Sequence, residues 1–268
     1  LLIAISQSGE TIDTYMAVRK LKGKGAKVIA ISNVVDSTIP RESDLAIYTR
    51  AGPEIGVAAT KTFTTQVAVL LELSYRLGVM TGRLDKSDYM RLHEELVKVP
   101  KNVSKVIRRY EGHCRELGRK LKPASSVYYL SRGIGVPVSM EGALKLKEIS
   151  YIHAEAYPAG ESKHGPIALI EKGFPTLFLA FHDEYKEAIL GNVMEMKARG
   201  AYTIGLIPKG FDELKGELDY SLEMPLLSQF ASTIVYVVPL QLIAYYTSVE
   251  RGLDPDKPRN LAKTVTVE

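Results

Sequence analysis

The first 32 residues, LLIAISQSGETIDTYMAVRKLKGKGAKVIAIS, decide the fold. LLIAI is a short all-apolar run, as expected of a strand covered on both faces of a parallel sheet. TIDTYMAVRKLKGKG spaces Ile12, Met16, Val18 and Leu21 as a helix does and stops at Gly23 and Gly25. KVIAIS then repeats the strand pattern, so the segment reads as a βαβ unit. Between the first strand and the helix stand Ser6, Gln7, Ser8 and Thr11, more side-chain donors than a turn requires.

Residues 176–208, TLFLAFHDEYKEAILGNVMEMKARGAYTIGLIP, repeat the order of strand, polar loop, helix, glycine stop and strand, pairing Gly25 with Gly200. TTQVAVLLELSYRLG at 64–78 matches VPLQLIAYYTSVERG at 238–252, pairing Gln66 with Gln241 and Gly78 with Gly252. The two matches share an offset of about 175 positions, the mark of a duplicated α/β domain. The charged helical stretch from Asp85 to Lys122, closed by Pro123, reads as the linker. Domains are therefore expected at 1–122, linker helix included, and at 123–268. The second copy carries about fifty residues ahead of its equivalent of Leu1, and the first carries none. With no initiator Met, this predicts that an N-terminal strand–helix unit precedes Leu1 in a longer parent.

Composition bounds the rest. The 268 residues carry a formal charge of +4 from well-mixed signs, with no arginine-rich tract, so a nucleic-acid partner is not expected. The single cysteine, Cys114, excludes an intrachain disulfide and suits a reducing cytoplasm. It is expected to be a spare surface or half-buried thiol. Met224 to Val249 is uncharged and long enough to span a bilayer. Ser228, Gln229, Ser232, Thr233, Pro239, Gln241, Thr247 and Ser248 interrupt it, so a buried helix is expected and a membrane is not.

Three segments carry candidate chemistry. SQSGET sits where a parallel strand enters a helix, the place where open α/β sheets bind ligands. Helix N–H groups and short hydroxyls there suit a phosphate monoester. A simple helix cap by Ser8 or Thr11 is the plainer reading. No GK[ST] and no dinucleotide fingerprint follows. In MEGALKLKEIS, Glu141, Lys145 and Glu148 share a helix face, as a solvated ion-pair stripe or as a carboxylate base beside an ammonium group. HAEAYPAGESKHGPIAL reads as a Gly- and Pro-bounded loop with His153, Glu155, Glu161, Lys163 and His164. His164 there is either exposed or an acid/base group, and no zinc pattern is present. Lys263, in the tail DPDKPRNLAKTVTVE, carries no local sign of anything beyond a surface charge.

SQSGET (6–11), EIGVAATKTFTTQ (54–66), EGALKLKEISYIHAEAYPAGESKHGP (141–166) and PRNLAKTVTVE (258–268) together resemble the isomerase module of the glutamine–fructose-6-phosphate aminotransferases, a pair of sugar isomerase (SIS) domains. The resemblance runs through the whole chain in order. It implies an α/β fold of two tandem SIS domains, each a parallel-sheet, three-layer αβα, flavodoxin-like unit. It implies that Ser6, Gln7, Ser8 and Thr11 cradle the phosphate and that Val57 and the backbone near Ala59 line the sugar. Glu148, with Lys145 nearby, would move a proton between C1 and C2. His164 would serve ring opening in a neighbouring subunit's site, which implies a homodimer, and Lys263 would form a Schiff base with the open-chain ketose. The implied partners are fructose 6-phosphate, glucosamine 6-phosphate and ammonia from a glutaminase domain absent here, with no cofactor and no metal.

Ala59 departs from a serine common in the family, and the strand-end loop that the family places ahead of the Leu1 position is expected in a longer parent. FHDEYKE at 181–187 has lost the SxSGxT pattern, so the second copy is expected to supply catalytic groups and packing rather than a second phosphate pocket. Two other readings stay open: another SIS amino-sugar-phosphate deaminase or deglycase, and a non-catalytic sugar-phosphate-binding module.

Overall fold

A computed structural model describes residues 1–263; the TVTVE end of the terminal motif lies outside the described residues. The chain divides into two compact units. One comprises residues 1–85 with the chain from 256 onward, the other residues 86–255. This differs from the boundary expected at 122/123. The long charged helix packs with the second unit, and the segment after Asp256 returns to the first.

The first unit begins with β1 (Leu2–Ser6), α1 (Ile12–Lys22), β2 (Val28–Ser32), α2 (Thr38–Glu42) and β3 (Leu45–Tyr48), then reaches α3 (Lys61–Met80). The three strands pair in parallel in the order β1-β2-β3. Leu2, Ala4, Val28 and Ala30 point to one face, where Tyr15 and Val18 of α1 and Ile39 of α2 cover them. Of the residues expected to form the apolar stripe of α1, Val18 is buried, while Met16 and Leu21 are exposed. Tyr15 takes the second inner position.

The second unit opens with α4 (Lys86–Leu121), one helix of 36 residues. β4 (Ser126–Ser131), α5 (Gly135–Ser150), β5 (His153–Pro158) and two 3₁₀ turns (Ala159–His164, Pro166–Leu169) follow. Then come β6 (Pro175–Leu179), α6 (Lys186–Lys197), β7 (Tyr202–Pro208), α7 (Asp212–Glu217), β8 (Tyr220–Met224) and α8 (Gln229–Glu250). The sheet is parallel with order β5-β4-β6-β7-β8. Numbered within the unit this is 2-1-3-4-5, the flavodoxin-like order. Tyr128 and Leu130 of β4 face Ile189, Val193 and Met196 of α6 and Leu214 of α7. Tyr129, between them, faces α5 and α8 near Gly142 and Leu240. Alternate residues of one strand thus feed helices on both sides, which makes the three layers.

β6-β7-β8 repeats β1-β2-β3 strand for strand, as the 175-residue offset predicts. α8, the apolar stretch checked for membrane spanning, is mostly buried and packs against α4 and α5. Its crossing with α4 is close: a Cβ on Gly118 would lie 2.8 Å from the Thr247 amide nitrogen. Glu111 accepts from the Tyr246 hydroxyl at 2.7 Å and Arg119 meets Glu250 at 3.0 Å along the same seam. Cys114 lies in that seam, fully buried rather than at the surface. Burial, with Glu111 nearby, pushes its thiol up to about 12.

Candidate functional site

In the first unit the candidate phosphate cradle is built at the C-terminal end of β1. Ser6 is buried, its Oγ accepts the Gly9 N–H at 3.0 Å, and it lies 2.9 Å from the Thr11 hydroxyl. Ser8 Oγ accepts the Glu10 N–H at 3.2 Å. Thr11 stands at the N-cap of α1, but its side chain makes no capping bond. The plain cap reading therefore does not account for these hydroxyls; they bind each other and the loop backbone. The Gln7 carbonyl accepts the Asn33 N–H at 3.1 Å, tying this loop to the one after β2.

Gly9 makes that junction possible. Its φ of +69° lies in the left-handed region, and a Cβ there would sit 1.9 Å from Ser37 Oγ and 2.7 Å from Ser37 Cβ. Ser32 and Ser37, both buried, thereby join the hydroxyls around the loop. Glu10 fixes the far side by accepting the Thr38 N–H at the start of α2 at 2.8 Å, and that bonding to Thr38 holds its carboxyl below the usual range. Sequence reasoning did not single out Ser32, Ser37 or Glu10. The available signal was Ser37-Thr38 opening a short helix one loop after the second strand.

The same unit brings Lys263 to the loop before α3. Its Nζ donates to the Gly56 carbonyl at 2.6 Å, lies 3.5 Å from the Val57 carbonyl and sits 3.7 Å from Glu54 Oε2. Val57 and Ala59 belong to this loop, and the Val57 amide donates to the Asp256 carbonyl at 3.2 Å, pinning the returning segment. Lys263 is therefore no free surface charge. Its carboxylate partner, Glu54, opens the EIGVAATKTFTTQ stretch, where no local pattern marks it. The Glu54 side chain is 4 % exposed. Burial pushes its carboxyl up, but hydrogen bonds from Thr62 and Thr60 and the Lys263 charge outweigh that and hold it low.

In the second unit Glu141, Lys145 and Glu148 do share one face of α5, but the face is not a solvated stripe. Lys145 is 3 % exposed. Its Nζ reaches Glu148 Oε2 at 2.6 Å and Glu141 Oε1 at 3.4 Å. Glu148 keeps partial access to solvent while Glu141 is more enclosed. A buried ammonium between two carboxylates is held by those partners, and a carboxylate so held can be aimed at a substrate proton.

His164 ends the first 3₁₀ turn and is exposed. Among the described residues it makes no hydrogen bond or ion pair. The stretch expected as one loop is part strand: His153–Pro158 forms β5, pairing with β4 through Ala154, Ala156 and their neighbours. His153 meets Glu155 at 3.3 Å on this edge strand.

Comparison with known proteins agrees with this anatomy. The SIS domain family matches residues 1–74 and 120–251. A glutamine–fructose-6-phosphate aminotransferase (isomerizing) from Pyrobaculum aerophilum is 56 % identical over 268 residues, covering all of this chain and 44 % of that protein. The corresponding protein from Thermococcus kodakarensis is 51 % identical, with the same shares covered. The chain thus spans less than half the length of these curated relatives. Among solved structures, the C-terminal domain of glucosamine-fructose-6-phosphate aminotransferase from Francisella tularensis matches with a TM-score of 0.92 at 38 % identity, over 96 % of this chain and 73 % of that one. Glucosamine-6-phosphate deaminase from Thermotoga maritima matches with a TM-score of 0.74 at 26 % identity, over 98 % of this chain and 75 % of that one. The paired parallel sheets, the hydroxyl-lined strand end and these matches lead to one assignment: the chain belongs to the SIS domain family, among the C-terminal domains of the glutamine–fructose-6-phosphate aminotransferases.

Proposed function

We propose that the chain converts fructose 6-phosphate and ammonia to glucosamine 6-phosphate and water. The observation that carries this reading is the seat of Lys263. Lys263 Nζ donates to the Gly56 carbonyl at 2.6 Å and lies 3.7 Å from Glu54 Oε2, which supports a role beyond that of a solubilising charge. In the proposed sequence Ser6, Gln7, Ser8 and Thr11 hold the phosphate, and His164 assists opening of the sugar ring. Lys263, as the free amine, adds to the C2 carbonyl; water leaves, and the iminium acidifies the C1 protons. Ammonia displaces Lys263 at C2. Glu148, held by Lys145, then takes a proton from C1 and returns it to C2, leaving an amine at C2 and an aldehyde at C1. No redox step is involved, and the lysine is regenerated.

The proposed acting unit is a homodimer, because the family presents His164 to a neighbouring subunit; sedimentation should give twice the chain mass. In a longer parent, glutamine would be the source of ammonia. The runner-up is the reverse, deaminating direction, for which the match to a glucosamine-6-phosphate deaminase is the specific support. One assay separates the two. The purified chain should form glucosamine 6-phosphate from fructose 6-phosphate plus ammonium, and none without ammonium. Release of ammonium from glucosamine 6-phosphate with no detectable synthesis would favour the deaminase. Absence of both reactions, together with no binding of glucosamine 6-phosphate, would overturn both readings.

A further inference from the structure

The duplication gives the second unit its own strand-end crevice. Shifting by 175 positions carries Ser6, Gln7, Ser8 and Thr11 onto Phe181, His182, Asp183 and Lys186, and the loop after β2 onto residues 208–211. The hydroxyl pattern is gone, yet the hollow is present. Those residues line a cavity of about 170 Å³ at the ends of β6 and β7. It adjoins a small recess lined by Arg132 at the end of β4, where the strand order reverses and open α/β sheets bind ligands.

Its chemistry differs from that of the first unit. Lys186 opens α6, where helix N–H groups favour an anion, and its Nζ lies 4.3 Å from the centre of the Phe211 ring. Lys209 lies in the loop after β7, which is pinned by its backbone N–H donating to the Met224 carbonyl at 3.0 Å. A neighbouring cavity of about 230 Å³ shares Lys209 and adds Lys105 and Arg109 of α4. Of the carboxylates lining these hollows, Glu223 pairs with Lys215 at 3.2 Å, and Asp183 is turned back to its own loop by accepting the Tyr185 N–H at 2.9 Å. Four cations line these two hollows, which share Lys209, and with Phe211 and Pro208 as an apolar wall they suit a phosphate monoester with a compact body.

We propose that this crevice is a second small-molecule site, which takes a phosphorylated metabolite with its phosphate between Lys186 and Lys209. The site is separate from the cradle in the first unit and does not depend on the reaction proposed there. The test is a titration of the chain with glucosamine 6-phosphate and, separately, inorganic phosphate at fixed ionic strength, followed by backbone amide resonances. Saturable shifts are expected at residues 182–186 and 209–211, with a dissociation constant distinct from that of any shifts at residues 6–11. Lys186→Ala/Lys209→Ala should weaken them at least tenfold and leave the 6–11 response intact, while Lys186→Arg/Lys209→Arg should retain binding. Tighter binding of the sugar phosphate would assign contacts to the ester body, and equal binding would assign the site to the phosphate alone. Shifts that are absent with both probes, reproduced by chloride, or undiminished in the double alanine variant would overturn the proposal. Silence at 6–11 alone would count against the cradle and leave this site standing.

Discussion

Gly9→Ala tests how the cradle is built. Two costs can be worked out separately. At φ +69° an L-residue loses about 1–2 kcal/mol relative to the right-handed region. The new methyl would also lie 2.7 Å from Ser37 Cβ, an atom fixed to the backbone, so rotating the hydroxyl away cannot relieve the clash. Overpacking of this kind costs about 1–3 kcal/mol. The sum, about 2–5 kcal/mol, falls on the junction of the β1 and β2 loops, where Ile39 N–H donates to the Gly9 carbonyl at 2.9 Å. Amide hydrogen exchange at the β1 and β2 core positions reads it locally. Protection at Ala4 and Ala30 should fall by about 30- to 4,000-fold, since each 1.4 kcal/mol is tenfold. Glucosamine 6-phosphate affinity at residues 6–11 should fall with it. Protection within threefold of the parent chain together with unchanged affinity would refute the close-approach argument.

Other outcomes follow from the same geometry. Lys263→Ala should abolish turnover while glucosamine 6-phosphate still perturbs residues 6–11; unchanged turnover removes the Schiff-base role. Lys145→Met strands Glu141 and Glu148 on a mostly buried face, and should cost about 3 kcal/mol in urea unfolding at neutral pH. Cys114 should resist thiol reagents in the folded chain. Its folded pKa of about 12 lies above the ordinary value near 8.5, so its share of stability is complete below pH ~8.5 and is lost as pH rises toward 12. A labelling rate at pH 8 equal to that of the unfolded chain would contradict its burial.

The strands and helices were legible because their signals are local. LLIAI and KVIAIS read as strands, although Ile5 is 41 % exposed where cover on both faces was expected; Gly23 and Gly25 stopped α1, and the 175-residue offset foresaw that β6-α6-β7 would repeat β1-α1-β2. What escaped depends on atoms distant in the chain. The packing of α4 with α8 rests on Gly118 meeting Thr247, so a helix that reads as a linker belongs to the second unit. The tail after Asp256 returns to the first unit through Val57, which no local pattern announces. Glu141, Lys145 and Glu148 were placed on one face by spacing alone, but spacing could not tell buried from solvated. Glu54, Ser32 and Ser37 look like ordinary polar loop residues until the fold sets them beside Lys263 and Gly9.

The central claim is that Lys263 forms a covalent iminium with an open-chain ketose phosphate. The direct measurement is to incubate the chain with fructose 6-phosphate, reduce with sodium borohydride, digest, and locate the added mass. A reduced fructose 6-phosphate adduct is expected on the peptide containing Lys263, and none in Lys263→Ala. No adduct, or an adduct confined to other lysines, would contradict it.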